Sequence, residues 1–154
     1  MSTWRLRLFR LLSGISLGAS VLASATAASE GVQVFQQNCA VCHQSDAQGM
    51  VGLAPPLKSG QWAKFATDRT YIPSVPLSGM NGNLQLENTT LMGVMPTQNR
   101  LSDDDIAAVI NYLFITVNGQ ISWEPLQASD IAALRQKLPS VSHLRALRKQ
   151  IVGQ

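Results

Sequence analysis

The sequence has only two cysteines, few aromatic residues and no long apolar run after its first 28 residues. Two cysteines exclude a disulfide-rich scaffold, because they allow one bridge at most. Aromatic residues make up 6% of the chain, so we do not expect a large core built from side chains alone. No later apolar run approaches the roughly 20 residues that span a bilayer, so we expect no transmembrane anchor.

A strong charge of either sign is also lacking. The net charge of +3 includes Arg5, Arg7 and Arg10, and the remaining nine basic residues are matched by nine acidic ones. The sequence shows neither a groove-reading motif nor an interleaving of basic and aromatic residues, so we expect no nucleic-acid partner.

The first 28 residues have the three parts of a secretory signal peptide. The three arginines precede an apolar stretch over residues 11–22, and small residues that suit cleavage follow. This apolar stretch is too short to span a membrane. We therefore expect residues 1–28 to be removed on export and the rest to form one small domain.

What the sequence does contain is the segment Cys39-Ala40-Val41-Cys42-His43. Two thiols three positions apart can each add to a vinyl group of a haem, and the following imidazole can bind the haem iron. The motif therefore predicts one covalently attached haem c. Because this attachment takes place outside the bacterial cytoplasm, it agrees with the signal peptide and predicts a periplasmic protein.

Three other roles compete with haem attachment. A disulfide between Cys39 and Cys42 would close a very short loop and leave His43 without a function. A thioredoxin-like redox pair requires a strand before the motif, whereas the preceding residues have a helical pattern. A structural zinc site needs four ligands, and His143, the only other histidine, lies far away in the sequence. Haem attachment is favoured over all three.

A helical pattern extends through most of the chain. Ser29 suits the N-cap of a helix over residues 30–40, and Ser102 with three following aspartates suits the start of the strongest helix, over residues 103–117. Glycine and proline predict a loop over residues 44–60, and asparagine and glycine predict a turn or small hairpin between residues 79 and 93. Further helices are predicted over residues 62–67, 69–77, 129–138 and 141–150. We therefore predict an all-α fold with the haem at the centre of its core.

The iron needs a second axial ligand, and the sequence offers Met50, Met80, Met92, Met95 and His143. Residue type alone does not choose among them, because a methionine is more often a core residue than a ligand. Met95 lies between Gly93 and Pro96, in a stretch without a strong helix or strand pattern, where a rigid loop can hold a thioether. Trp62 and Arg69 are candidate partners of the haem propionates.

Several of these segments together resemble class I cytochromes c. The resemblance spans about residues 30–118 and rests on Phe35 and the haem motif, Pro55-Pro56-Leu57, Gly93-Val94-Met95-Pro96, and the segment from Leu101 to Leu113. It implies a cytochrome c domain over residues 29–118 whose first and last core helices cross around the haem. It also implies that His43 and Met95 are the axial ligands.

Two packing contacts follow from the same resemblance. Gly31 and Phe35 of the first helix are expected to pack on Val109 and Tyr112 of the last one. The carbonyl oxygen of Pro55 is expected to accept the other ring proton of His43, which would orient the imidazole.

A narrower resemblance is to the haem domains of periplasmic dehydrogenase cytochrome subunits. It rests on residues 71–82, 92–96 and 129–135. It implies that a periplasmic alcohol or aldehyde dehydrogenase donates electrons, with an oxidase or another cytochrome as acceptor. The chain has one CxxCH motif, where many such subunits have three.

We therefore expect an electron-transfer protein and not an enzyme. Two alternatives stay open: a cytochrome subunit bound tightly in an alcohol or aldehyde dehydrogenase complex, and a haem enzyme or sensor with an open distal site. Residues 119–154 exceed the needs of the cytochrome c domain and are predicted to form a helical C-terminal extension. Its amphipathic pattern predicts either packing on the domain or docking to a dehydrogenase or an anionic membrane surface.

Overall fold

The computed structural model describes residues 30–153, and the predicted signal peptide and the Ser29 cap lie outside this range. Within it, a two-stranded hairpin interrupts a series of helices. The elements are α1 (residues 30–38), α2 (Ala40–His43), α3 (Trp62–Phe65), α4 (Tyr71–Ser78), β1 (Met80–Gln85), β2 (Thr90–Met95), α5 (Asp103–Asn111), α6 (Ala128–Gln136) and α7 (Val141–Val152). A turn of π-helix, Tyr112–Val117, continues α5. None of the described helices combines the length and the apolar composition that crossing a bilayer requires.

Helix α5 begins at the residue that the sequence predicted. The Ser102 hydroxyl accepts a hydrogen bond from the Asp105 N–H, and the Asp105 carboxylate accepts one from the Ser102 N–H. This reciprocal capping box satisfies two of the free N–H groups at the start of the helix. Further along the helix, Ile106 and Ile110 lie four residues apart on one face and are buried. The helix is therefore fixed at its first turn and packed along its length.

Helices α1 and α5 approach each other closely at Gly31. A Cβ atom at this position would lie 2.4 Å from the carbonyl oxygen of Ala108 and 2.7 Å from the Cβ atom of Tyr112. The rings of Phe35 and Tyr112 have their centroids 5.6 Å apart, and Phe35 is fully buried. The predicted packing of Gly31 and Phe35 on Tyr112 is confirmed at these contacts, and their packing on Val109 stays a prediction.

The hairpin corrects the prediction of an all-α fold. Strands β1 and β2 are antiparallel, with Met80 opposite Met95 and Leu84 opposite Leu91. Met95 therefore ends a strand, whereas the sequence indicated a loop without regular structure. The turn or small hairpin predicted between residues 79 and 93 is confirmed as a hairpin, but its turn lies at residues 86–89. The asparagines and glycine that suggested a turn lie in β1 instead, although both residue types are depleted in strands.

The C-terminal extension packs back on the domain. Ile131 of α6 and Leu144 of α7 are fully buried. Arg135 of α6 forms an ion pair with Asp103, the first residue of α5, with 2.6 Å between Nε and Oδ1. Packing on the domain, one of the two roles predicted for this extension, is confirmed, and docking to a dehydrogenase or a membrane surface stays a prediction.

Candidate haem site

One helical turn brings the residues of the predicted attachment motif together. Cys39 lies between α1 and α2, and the N–H groups of Cys42 and His43 donate to its carbonyl oxygen at 3.2 and 2.9 Å. Residues at positions i, i+3 and i+4 of a helix share one face. Both thiols, which are free and half-buried, therefore lie on the same side as the imidazole.

The pKa of the Cys39 thiol is raised to about 11, mainly because the thiol is buried and to a smaller extent because Cys42 lies beside it. At neutral pH the thiolate, which is the nucleophilic and metal-binding form, is therefore scarce. This state argues against Cys39 as the nucleophile of a redox-active pair. Among the described residues, no group of three or more His, Cys, Asp or Glu is placed to hold a metal ion, and His143 is exposed on α7.

His43 is buried, and a backbone carbonyl orients its ring. Its Nδ1 atom lies 2.9 Å from the carbonyl oxygen of Pro55. Burial lowers the pKa of His43, and the hydrogen bond to Pro55 opposes this shift. A neutral imidazole that donates through Nδ1 keeps a free lone pair on Nε2. His43 therefore has the protonation state and the orientation of a metal ligand.

The loop after the motif is folded tightly enough to fix the Pro55 carbonyl. Gly49 has a φ of +75°, and a Cβ atom there would lie 2.6 Å from the Ala54 carbonyl oxygen and from the Pro55 carbonyl carbon. Only glycine suits such a backbone at so close an approach. Met50 pairs with Ala54 in an isolated β-bridge. The loop thus holds the acceptor for His43 in one place.

The inner face of the hairpin supplies a wall of the same space. Alternate residues face inward, namely Met80, Gly82 and Leu84 on β1 and Leu91, Gly93 and Met95 on β2. Gly82 lies opposite Gly93, so the middle of this face carries no side chain. Met80 lies opposite Met95, so two thioethers share one end of the face.

The motif, the loop and the hairpin surround a cavity of about 700 Å³, within the range of about 300–1,000 Å³ that is usual for cofactor sites. Cys39, Cys42, His43, Met80 and Met95 all line it. Its other lining residues are mainly apolar and include Leu57, Trp62, Phe65, Ile72 and Val75. Thiols, an imidazole and thioethers around an apolar space are the donor set that a covalently attached haem requires.

Two residues of the site, Arg148 and Gln61, were not expected from the sequence. Arg148 of α7 lines the cavity and is buried, and its Nη2 atom donates to Gln61 Oε1 at 2.7 Å. The sequence could have indicated that Arg148 is buried, because it lies four residues from both Leu144 and Val152, which are buried on the same helix face. The basic composition of this helix indicated a solvated face instead.

Of the two predicted propionate partners, Trp62 lines the cavity and Arg69 does not. The Arg69 guanidinium lies 4.7 Å from the centroid of the Trp123 ring and donates to the Glu124 carbonyl oxygen at 2.8 Å. The prediction for Arg69 is wrong, because the segment between α5 and α6 engages its guanidinium.

Comparisons with known proteins agree with this geometry. The family model for cytochrome c matches residues 28–114. Cytochrome c-552 of Thermus thermophilus is 32% identical over 148 residues, which cover 92% of this chain and 95% of that protein. The cytochrome c subunit of the quinone alcohol dehydrogenase of Gluconobacter oxydans is 35% identical over 85 residues, 54% of this chain and 17% of that protein. The cbb3-type cytochrome c oxidase subunit CcoP of Rhodobacter capsulatus is 35% identical over 94 residues, 60% of this chain and 30% of that protein.

A covalent haem-attachment motif beside an apolar cavity defines the class of protein as a c-type cytochrome. The chain belongs to the cytochrome c family. Proteins of this family transfer electrons and carry covalently bound haem c, for which Cys39, Cys42 and His43 provide the CxxCH motif. The prediction of haem c as the cofactor is confirmed.

Proposed function

We propose that the protein is a periplasmic electron carrier with one haem c, whose axial ligands are His43 and Met95. The observation that carries the proposal is that an oriented, neutral His43 and the Met95 thioether line the same cavity as the two cysteines. When bound, the haem supplies a one-electron couple, and thioether ligation raises its potential. The proposed electron donor is a periplasmic dehydrogenase, and the proposed acceptor is an oxidase or another cytochrome.

Close contacts with residues 77 and 79 restrain the backbone around Met95, which suits a residue that binds the iron. A Cβ atom at Gly79 would lie 2.8 Å from the Met95 carbonyl oxygen. The Thr97 hydroxyl donates to the Leu77 carbonyl oxygen at 2.8 Å. A rigidly supported donor keeps the same position in both oxidation states, which limits the reorganisation that accompanies electron transfer.

Met80 is the rival ligand, because it lies directly across the hairpin from Met95. The test compares Met95→Ala with Met80→Ala and with a control, Met92→Ala, whose side chain is 76% exposed. Met95→Ala is expected to retain covalent haem, change its ferric ligand-field spectrum and bind added cyanide or imidazole readily. Met80→Ala and Met92→Ala are expected to keep the wild-type spectrum.

Two outcomes contradict this assignment. If Met80→Ala changes the spectrum and Met95→Ala does not, Met80 is the ligand. If the unmodified ferric protein binds cyanide as readily as Met95→Ala does, the distal position is open, and a haem enzyme or sensor is the better description.

The second candidate is a cytochrome subunit held permanently in an alcohol or aldehyde dehydrogenase complex. The observation that favours it is a group of exposed apolar residues among those that line the cavity, namely Met50, Val51, Leu53, Met92 and Val94. Interfaces of permanent complexes are larger and more apolar than those of transient ones.

Gentle purification from the native periplasm, followed by mass spectrometry of co-eluting proteins, distinguishes the two candidates. Stoichiometric co-elution with a dehydrogenase would identify a dedicated subunit. Elution alone, as a reducible monohaem protein, would identify a mobile carrier.

A further inference from the structure

We infer that Arg148, in the C-terminal extension, binds a propionate of the covalent haem c. The inference depends on the presence of the haem, and it is independent of which residue provides the sixth iron ligand.

Arg148 is a buried cation whose hydrogen bonds are incomplete. Its side chain is 7% exposed. Nη2 donates to Gln61 Oε1 at 2.7 Å and to the Gln85 carbonyl oxygen at 3.0 Å, and Nη1 makes a long contact of 3.5 Å with the Tyr71 hydroxyl. Nε is buried and has no hydrogen-bond partner among the described residues. Since a guanidinium has five N–H donors, donors remain for a further acceptor.

The described part of the chain also supplies no carboxylate for this charge. The one ion pair in that part joins Arg135 to Asp103, and Arg148 has the Phe65 ring at 4.9 Å instead. A buried charge without a partner is strongly unfavourable, and an orphaned donor adds to the cost. The charge and the free N–H donors of Arg148 are therefore satisfied only when an anion lies beside it.

The haem brings such an anion into the same space. Arg148 lines the cavity that Cys39, Cys42 and His43 also line. Once both vinyl groups have reacted with the cysteines, the two propionates are the carboxylates that the macrocycle carries at its edge. A hydrogen bond between guanidinium and carboxylate is charge-assisted and among the strongest that proteins form.

The neighbouring titratable groups do not provide an alternative anion inside the pocket. Burial raises the pKa of Tyr71, so its hydroxyl stays neutral. Glu87 lines the cavity but is exposed in the hairpin turn. The other titratable groups on the elements that pack around Arg148 are Lys64, His143, Arg145 and Lys149, none of which is an anion. The propionate is therefore the acceptor that the pocket chemistry selects.

The first experiment uses the unmodified holoprotein in its reduced state, with isotope-labelled arginine. We expect a nuclear Overhauser effect between the Nε proton of Arg148 and the methylene protons of a haem propionate. The signal is assigned by its disappearance in Arg148→Lys. A resolved Nε proton that shows effects only to protein neighbours such as Phe65 would overturn the inference.

The second experiment measures the midpoint potential as a function of pH in Arg148→Met, Arg148→Lys and Lys149→Met. Without the cation the propionate is expected to titrate at higher pH and to take up a proton on reduction. The potential of Arg148→Met should therefore gain a segment that falls with rising pH, between about pH 5 and 8. Arg148→Lys keeps the charge and should restore the wild-type profile. Lys149→Met removes a charge from the exposed side of the same helix and is the matched control.

The outcomes separate specific from general effects. An Arg148→Met profile that coincides with the wild-type profile would overturn the inference, as would an equal change in Lys149→Met. If Arg148→Met does not fold, the Overhauser measurement on the unmodified protein decides.

Discussion

Tyr71, the first residue of α4, connects the apolar lining of the cavity to Arg148. Its ring lies 5.3 Å from that of Phe65, centroid to centroid, and its hydroxyl lies 3.5 Å from Arg148 Nη1. Burial raises the pKa of Tyr71, and the nearby Arg148 opposes part of this shift. The fold therefore stabilises the neutral phenol.

Because of Tyr71, we expect the free energy of unfolding to fall at alkaline pH. Because the pKa is raised in the folded state, the unfolded chain loses its proton first. The contribution of the buried Tyr71 hydroxyl to the free energy of unfolding is complete below about pH 10. It is lost as the pH rises through the pKa of Tyr71 in the folded state. In Tyr71→Phe this loss should disappear from urea unfolding curves of the reduced holoprotein, recorded at about pH 8 and pH 11. The matched control is Tyr112→Phe, which removes the half-buried tyrosine and should retain the alkaline loss. An undiminished loss in Tyr71→Phe would contradict the prediction.

Single residues differ in how far the sequence reveals their roles. Cys39, Cys42 and His43 could be identified because covalent attachment fixes both their types and their spacing. Arg148 and Gln61 could not be paired, since they lie 87 positions apart and only the packing of α7 brings them together. Contacts of this kind leave no local pattern in a sequence.

At the scale of elements, the contact between α1 and α5 depends on the missing side chain at Gly31. The predicted bounds of α5 together with its π-helical continuation, and those of the short helices α3 and α4, agreed with the structure to within a few residues, because caps and apolar spacing are local signals. The hairpin was only partly predicted. Asparagine and glycine indicated a turn in this region, but they do not indicate the extent of the strands, which is set by their pairing and by the space that they face.

The substitution Gly31→Ala tests this helix contact through the sign of its effect. Helix propensity alone would make the change stabilising by about 0.5–1 kcal/mol. Because the added methyl group would lie 2.4 Å from the Ala108 carbonyl oxygen, we expect a net loss of about 1–3 kcal/mol in the free energy of unfolding. Urea denaturation followed by haem absorption measures the loss.

The control for this substitution is Gln33→Ala, on the exposed side of the same helix. It should change the free energy of unfolding by less than about 0.5 kcal/mol. A stabilised Gly31→Ala would show that α1 can move away from α5 without loss of packing.

At the scale of the whole molecule, the cavity lies among the residues that form the core. Trp62, Phe65 and Tyr71 belong to the buried apolar cluster and also line the cavity. We therefore expect the haem to compensate for the low aromatic content that the sequence shows. The cofactor and the family could be predicted from the sequence, because both depend on short motifs.

Removal of the haem is therefore expected to unfold the protein. Cys39→Ser combined with Cys42→Ser should abolish covalent haem and leave a poorly folded chain, because water would have to occupy about 700 Å³ of mainly apolar space. Haem staining after denaturing electrophoresis and near-ultraviolet circular dichroism measure the two effects. Val41→Ser changes an exposed residue inside the motif and should retain both the haem and the fold. A colourless double variant with a cooperative unfolding transition would show that side chains alone can form the core.

The position of Arg148 on α7 also bears on the order in which the haem can be attached and the pocket can close. Synthesis proceeds from the N-terminus, so the segment from Cys39 to His43 is made about a hundred residues before Arg148. Until α7 has packed, the pocket lacks its buried guanidinium and is open on that side, while both cysteines have already been made. The order of the sequence thus allows the haem to be attached first, and the last described helix then completes the pocket around it.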